Sequence, residues 1–280
     1  MSRTVRGARV LITGAASGMG RLYAQRAVLE GARAVVLWDK NGKALGEAAD
    51  ELAALASPGT SVHAFTVDIA ELGAIAQTAQ KVRKIAGNPD VLINNAGIVR
   101  SALFWEHDSG DDTRATMQIN ALAPMYITRE FLPGMIDNPY RAARIVNVAS
   151  AAGLVANPRM SVYAASKWAL IGWSESLRIE LEQQDHGNVK VTTVAPTFVA
   201  TGMFDGARGP LLAPVMTPEY VVERVWRAML AGKPMLMLPG SVAIAKLLKG
   251  VLPTRAWDVV AERMGIYNTM DAFTGRNVGR

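Results

Sequence analysis

The chain has 280 residues, half of them hydrophobic and 19% charged, with 25 glycines, 13 prolines and no cysteine. That composition fits an ordinary soluble globular protein, and the length is ample for a sizeable core. Zero cysteine excludes disulfide scaffolds, thiolate metal sites and cysteine nucleophiles and leaves a lean towards the cytoplasm, while the net charge of +6 comes from scattered Lys and Arg with no nucleic-acid motif, so nucleic acid is not an expected partner.

After a basic start (Arg3, Arg6, Arg9), the segment Arg9 to Thr13 reads as a strand, far too short for a signal sequence. It runs into Thr13-Gly14-Ala15-Ala16-Ser17-Gly18-Met19-Gly20 and then a helical pattern through Glu30. Gly14 and Gly18 permit a tight turn, Gly20 permits close helix packing, and the N–H groups that open the helix suit a pyrophosphate. A turn kept only for chain reversal is the competing reading. The second strand, Ala34 to Trp38, leads to Asp39, nineteen residues beyond Gly20. A carboxylate there accepts from adenosine ribose hydroxyls and repels a 2′-phosphate, which selects NAD over NADP; capping the next helix is a compatible role. Asp68 and Ile69, after the third strand (Val62 to Val67), are candidate neighbours of the adenine, with Asp68 equally a cap. The fourth strand, Val91 to Ile93, ends in Asn94-Asn95-Ala96-Gly97, at the edge where open α/β sheets bind ligands.

The acidic run from Glu106 to Asp112 reads as helix capping, and the isolated His63, His107 and His186 have no ligand spacing, so no metal is expected. Asn120 falls on a helix, and the strand Ile145 to Val148 leads to Ser150. Next come Tyr163-Ala164-Ala165-Ser166-Lys167, where Tyr and Lys at i, i+4 share one helix face. A phenol is a poor proton carrier near neutrality, and a fixed ammonium beside it should lower its pKa towards the working range. Trp168 and Trp173 on the same helix read as packing residues. A sixth strand spans Val189 to Val194.

The last third changes character. From Thr201 to Pro218, glycines, prolines and large apolar residues lack a period, as in a lid or loop insertion. A helix near Pro218 to Ala231, a short strand from Met235 to Leu238 and an amphipathic segment from Val242 to Leu252 follow. In that segment Ile244, Leu247, Leu248 and Val251 share one side and Lys246 and Lys249 another, which predicts a helix packed on the domain; a membrane-surface or partner helix is the alternative. No run reaches the length of a transmembrane span. Continuously apolar strands separated by helices predict an α/β fold with a doubly wound parallel sheet covered on both faces. One domain over 1–280 is expected, with a dinucleotide-binding and catalytic core over 7–200 and a substrate loop and C-terminal helical extension over 201–280.

Together, TGAASGMG, NNAG, Asn120, Ser150, YAASK and PTFVATGM (Pro196 to Met203) resemble the short-chain dehydrogenase/reductases over nearly the whole chain. VLWDKN, FLPGM, TGMF and MDAFTGR (Met270 to Arg276) resemble the retinol dehydrogenase and 17-beta-hydroxysteroid dehydrogenase-like branch. The resemblance implies a Rossmann-type fold. It also implies Tyr163 as general acid/base, Lys167 on the nicotinamide ribose and lowering the tyrosine pKa, Ser150 polarising the substrate oxygen, and Asn120 holding a water in the proton relay. Gly14, Ser17, Gly18, Met19, Gly20 and Asp39 would line the adenosine and pyrophosphate, with Asp68 and Ile69 near the adenine. Asn95, Ala96 and Gly97 would line the middle of the cofactor, and Pro196, Val199 and Thr201 the nicotinamide carboxamide. Thr197 departs from the glycine that much of the family places after the proline. Many relatives begin with a hydrophobic anchor, whereas this chain starts almost at its first strand, so anchoring is not carried over.

The expected function is NAD-dependent interconversion of an alcohol and its carbonyl on a lipophilic substrate, walled by Ile98, Val99, Leu154, Val155, Met160, Phe198, Met203 and Phe204, in a homodimer or homotetramer with peripheral membrane contact open. An NADPH-dependent 3-oxoacyl thioester reductase and a non-catalytic dinucleotide-binding scaffold are the alternatives.

Overall fold

Strands and helices alternate as the apolar runs predict. The computed structural model describes residues 4–275; Arg3 of the basic start and Arg276 of the MDAFTGR motif lie outside the described residues. In chain order the elements are β1 (Arg9–Thr13), α1 (Gly18–Leu29), β2 (Ala34–Asp39), α2 (Gly42–Leu55), β3 (Ser61–Thr66), α3 (Leu72–Ile85) and β4 (Val91–Asn94). A short helix, α4 (Ala115–Met117), lies between wide π turns at Ser109–Arg114 and Gln118–Leu122 and runs into α5 (Ala123–Ile136). Then come β5 (Ala143–Val148), α6 (Ser161–Gln183), β6 (Val189–Pro196), α7 (Pro218–Leu230), β7 (Met235–Leu238), α8 (Ser241–Val251) and α9 (Thr254–Arg263).

The strands form one seven-stranded sheet in the order β3-β2-β1-β4-β5-β6-β7. Every pairing is parallel. Alternate side chains of each strand feed opposite layers. Val10, Ile12, Val35, Leu37 and Ile93 pack under α1 and α7 with Tyr23, Val225 and Trp226, while Leu11, Val36, Trp38 and Leu92 pack under α3, α5 and α6 with Ile75, Phe131 and Leu177. Each such side chain, fully buried, contributes about 1.5–3 kcal/mol, so the two layers together fix the sheet. The Tyr23 and Trp226 rings stack at 6.4 Å, and Trp226 Nε1 donates to Glu30 Oε1 at 3.0 Å, which docks α7 on α1.

The acidic run does cap: Asp108 Oδ1 accepts from the N–H groups of Gly110 and Asp111 at 2.7 Å each, and these bonds hold its carboxyl below the usual range. Trp173 packs partly buried against the core, but Trp168 is half-exposed, with Lys249 Nζ 4.0 Å from its ring centroid. The predicted aperiodic segment is a loop whose base is pinned by a bridge between Val199 and Met216.

The sidedness of α8 corrects the sequence expectation. Its buried residues are Val242 and Ala245, whereas Ile244, Leu247 and Val251, from the stripe expected to pack on the domain, are exposed. Small side chains let this helix seat closely, and Leu248, partly buried, is the one member of the expected stripe that joins the core there.

Candidate active site

Between β1 and β4 the strand order reverses, and the crevice beyond their C-terminal ends is the natural ligand position of such a sheet. Gly14 and Gly18 lie at φ +67° and +56°, the left-handed region that favours glycine. A Cβ on Gly20 would overlap the Gly14 carbonyl oxygen and come within 2.8 Å of Asn95 Nδ2. Only glycine lets α1 start this close to β4. Ser17 is the N-cap of α1 but makes no side-chain capping bond, so the first-turn N–H groups at Gly18, Met19 and Gly20 have no capping side chain and remain suited to an anion. These residues fit a dinucleotide pyrophosphate.

Asp39 ends β2, and its carboxylate accepts from Ala16 N–H at 3.1 Å and from Asn41 N–H at 3.0 Å. It thereby ties the glycine loop to the strand, and a carboxylate has acceptor capacity left for ribose hydroxyls. Asp68, exposed, accepts from Ala70 N–H at 2.9 Å as a turn cap, while Ile69 is buried beside it. Across the crevice, Thr13 Oγ1 accepts from the N–H groups of Asn95 and Ala96, both at 3.0 Å, and Asn95 Nδ2 donates to Thr13 O at 2.9 Å. The role of Thr13 as this clasp was not assigned from the sequence, although a hydroxyl at a strand end before a glycine turn is a usable signal.

A few residues along the same edge, Ser150, Tyr163, Lys167 and Asn120 are all buried. Ser150 Oγ accepts from Ala152 N–H at 3.1 Å, lies 3.5 Å from Pro196 O and is hydrogen-bonded to the Tyr163 phenol. Lys167 Nζ donates to Val148 O at 2.9 Å and sits 5.6 Å from the Tyr163 ring centroid. A Cβ on Gly97 would come within 3.1 Å of Asn120 Oδ1 and 3.5 Å of Lys167 Nζ, so the bare backbone there makes room for both. Asn120 accepts from Ile98 N–H and donates to Ile98 O, each at 2.8 Å, and also donates to Ser166 Oγ at 3.2 Å. Ser166 in turn donates to Tyr163 O at 2.7 Å. Beneath them a buried polar ladder, Asn94 to Asn147 at 2.9 Å and Asn147 to Ser174 at 2.8 Å, registers α6 against β4 and β5. The sequence gives Ser166 no role of its own within the Tyr163 to Lys167 motif, and Asn147 and Ser174, isolated polar residues in apolar segments, give no spacing signal.

The electrostatics differ from the sequence expectation. Burial pushes the Tyr163 phenol up to about 12, with the Ser150 hydrogen bond acting the other way, and burial pushes Lys167 down from 10.5 to about 8. Desolvation of the charged forms outweighs the expected lowering of the phenol by its neighbour.

An apolar cavity of about 80 Å³, partly open to solvent, adjoins Ser150. Of the expected wall, Val155, Met160, Phe198 and Phe204 line it; Ile98, Val99, Leu154 and Met203 do not. Leu154 packs instead with Leu170 and Trp257, and Val99 against the Tyr163 and Met270 cluster. The remaining wall comes from Leu211 of the loop, Val242 and Ala245 of α8, and Met264 and Ile266 beyond α9. Phe204 meets Tyr163 edge-on at 6.1 Å and Phe198 at 5.3 Å, so the loop covers the phenol.

A family model described as short chain dehydrogenase matches residues 8–210. The chain belongs to this family. As a short-chain dehydrogenase/reductase it is an oxidoreductase of CH–OH groups, in the retinol and 17-beta-hydroxysteroid dehydrogenase-like branch. It is 37% identical to mouse epidermal retinol dehydrogenase 2 over 279 residues, covering 98% of this chain and 87% of that one. Rat estradiol 17-beta-dehydrogenase 11 is 35% identical over 274 residues, covering 98% and 88%. A short-chain dehydrogenase/reductase from Burkholderia phymatum, solved in complex with NAD, superposes with a TM-score of 0.79 at 26% identity, covering 89% of this chain and 95% of that one.

Proposed function

We propose that the chain is an NAD-dependent dehydrogenase interconverting an alcohol and its carbonyl on a lipophilic substrate, with Tyr163 as general acid/base. The observation that carries this reading is the burial of Ser150, Tyr163 and Lys167 together, with Ser150 on the wall of an apolar cavity, beside a glycine loop that fits a dinucleotide. The names of the mouse and rat relatives, a retinol and an estradiol dehydrogenase, and the NAD in the Burkholderia protein agree with it.

A bound nicotinamide would supply hydride exchange with the carbinol carbon. The chain's residues do the rest. Ser150 keeps a long bond to Pro196 O, so its hydroxyl can turn to a substrate oxygen and hold it beside Tyr163. In carbonyl reduction the phenol donates its proton to that oxygen, and in alcohol oxidation it must first lose its own and then accept the hydroxyl proton. Lys167 uses one N–H on Val148 O and keeps two, which suit ribose hydroxyls, and its positive charge favours the phenolate. Asn120 holds the Ile98 backbone, and Phe204 excludes bulk water from the phenol.

Asp39 supports NAD over NADP, because a 2′-phosphate beside a carboxylate already committed to two N–H groups meets like-charge repulsion. The test is a titration with NADH and NADPH, followed by energy transfer from tryptophan to the bound reduced nicotinamide. Selective NADH binding with turnover of lipophilic alcohols is the expected result. Preference for NADPH would overturn the Asp39 argument and favour thioester reduction, and binding without turnover across an alcohol panel would favour a scaffold.

A further inference from the structure

Among the described residues, the cavity wall is apolar except for the side chains of Ser150, Asn157, Thr197, Ser241 and Thr269. Ser150 belongs to the reacting group. Three of the others are committed within the chain: Ser241 Oγ donates to Leu212 O at 2.8 Å, and Asn157 Nδ2 donates at 2.9 Å to Thr269 Oγ1, which donates in turn to Ile266 O at 3.2 Å. Thr197 is the exception. Its Oγ1 is buried without a hydrogen-bond partner, and among the described residues it is the one such orphaned atom that belongs to a wall residue of this cavity.

A buried hydroxyl left unpaired is costly, so one kept on a cavity wall points to a partner that arrives with the ligand. The backbone on either side is firmly held. Thr197 N–H donates to Leu238 O, and Met216 N–H donates to Phe198 O, each at 2.9 Å. The Thr197 side chain is half-buried, and one staggered step about χ1 exchanges its hydroxyl and methyl positions, which turns the hydroxyl without moving the backbone. Thr197 also follows Pro196, whose carbonyl oxygen lies 3.5 Å from Ser150 Oγ, and covalent geometry then keeps Thr197 Oγ1 within about 9 Å of Ser150 Oγ in any rotamer. A ligand oxygen that meets Thr197 therefore lies a few carbons from the oxygen that Ser150 holds.

We propose that Thr197 selects lipophilic substrates that carry a second oxygen, a hydroxyl or carbonyl a few carbons from the reacting one, as in a diol or a hydroxy ketone. Its hydroxyl donates to a carbonyl and donates to or accepts from a hydroxyl. A molecule with the reacting oxygen alone leaves Thr197 unpaired in a filled cavity, and a site that offers a polar group discriminates against the analogue lacking its mate. The inference rests on the dehydrogenase reading, because Ser150 fixes the first oxygen.

The experiment is isothermal titration of the protein–NADH complex, in which alcohols bind without being oxidised, with 2-decanol and with decanediols that carry a second hydroxyl one, two or three carbons further along. Wild type is expected to bind at least one diol about tenfold or more tighter than 2-decanol. Thr197→Val keeps the shape and removes the hydroxyl. It should weaken the preferred diol by about tenfold or more, leave 2-decanol and NADH binding as they were, and leave the melting temperature of the empty protein equal or higher. Thr197→Ser should retain the preference. Wild type that binds 2-decanol as tightly as every diol, or Thr197→Val that keeps the preference, overturns the proposal. So does Thr197→Val with a lower melting temperature and both kinds of ligand weakened alike, because the hydroxyl then serves the fold. Turnover of the same alcohols with NAD separates the two readings: a diol preference that depends on Thr197, with no turnover, fails the dehydrogenase reading and upholds the selection by Thr197.

Discussion

Replacing Lys167 with methionine should make the empty protein more stable while destroying its activity. Lys167 is buried, and burial lowers its pKa from 10.5 to about 8. At about 1.4 kcal/mol per pKa step, keeping that ammonium charged in the folded state at neutral pH costs about 3 kcal/mol relative to the unfolded chain. Methionine matches the linear stem and removes the charge, but it leaves Val148 O without the lysine bond, a loss of about 1 kcal/mol. The net gain is about 2 kcal/mol, or roughly 4–8 °C in melting temperature for a chain of this size.

The pH dependence makes this specific. A lysine with a lowered folded-state pKa costs stability below about pH 8, and the cost disappears as pH rises through 10.5, where both states are neutral. The advantage of Lys167→Met over wild type should therefore be largest at neutral pH and mostly gone by about pH 10. Urea melts of both proteins, without cofactor, at about pH 7 and about pH 10 measure it. A variant no more stable than wild type at neutral pH, or a gain that does not shrink at alkaline pH, refutes the reasoning.

Tyr163→Phe should lower turnover by about a thousandfold while changing NADH affinity by less than about threefold in a fluorescence titration, because only the transferable proton is removed. In the wild type, a phenol held at about 12 before cofactor binds means that alcohol oxidation should rise with pH from about 7 to about 10, while carbonyl reduction stays level near neutrality; a flat oxidation profile counts against Tyr163 as the base. Gly20→Ala should weaken dinucleotide binding by about tenfold or more and cost about 1–3 kcal/mol in urea melts, since its Cβ meets the Gly14 carbonyl. Asn120→Ala leaves the N–H and C=O of Ile98 without their side-chain partner and should cost about 2–4 kcal/mol, measured the same way; a cost under about 1 kcal/mol would mean water replaces the amide.

The chain's local chemistry carried much of the fold. Continuously apolar strands such as Val35 to Leu37 require cover on both faces, and that is enough to call for a parallel, doubly wound sheet. The glycine loop was legible because a close approach such as that of Gly20 to Gly14 admits no side chain, and Tyr163 with Lys167 because i, i+4 on a helix means one face. Those signals are local, so sequence holds them.

Three features belong to tertiary structure alone. The ionisation of Tyr163 depends on how completely its neighbours exclude water, a property of packing that spacing does not encode. The cavity wall draws Leu211, Ala245 and Ile266 from separate stretches of chain, while Leu154, close to the motifs in sequence, turns into the core. The orientation of α8 was ambiguous because both of its sides are apolar: spacing alone favoured the large stripe of Ile244, Leu247 and Val251 as the buried one. The small residues Val242 and Ala245 win the contact because they permit closer approach, and the large stripe is left facing outwards.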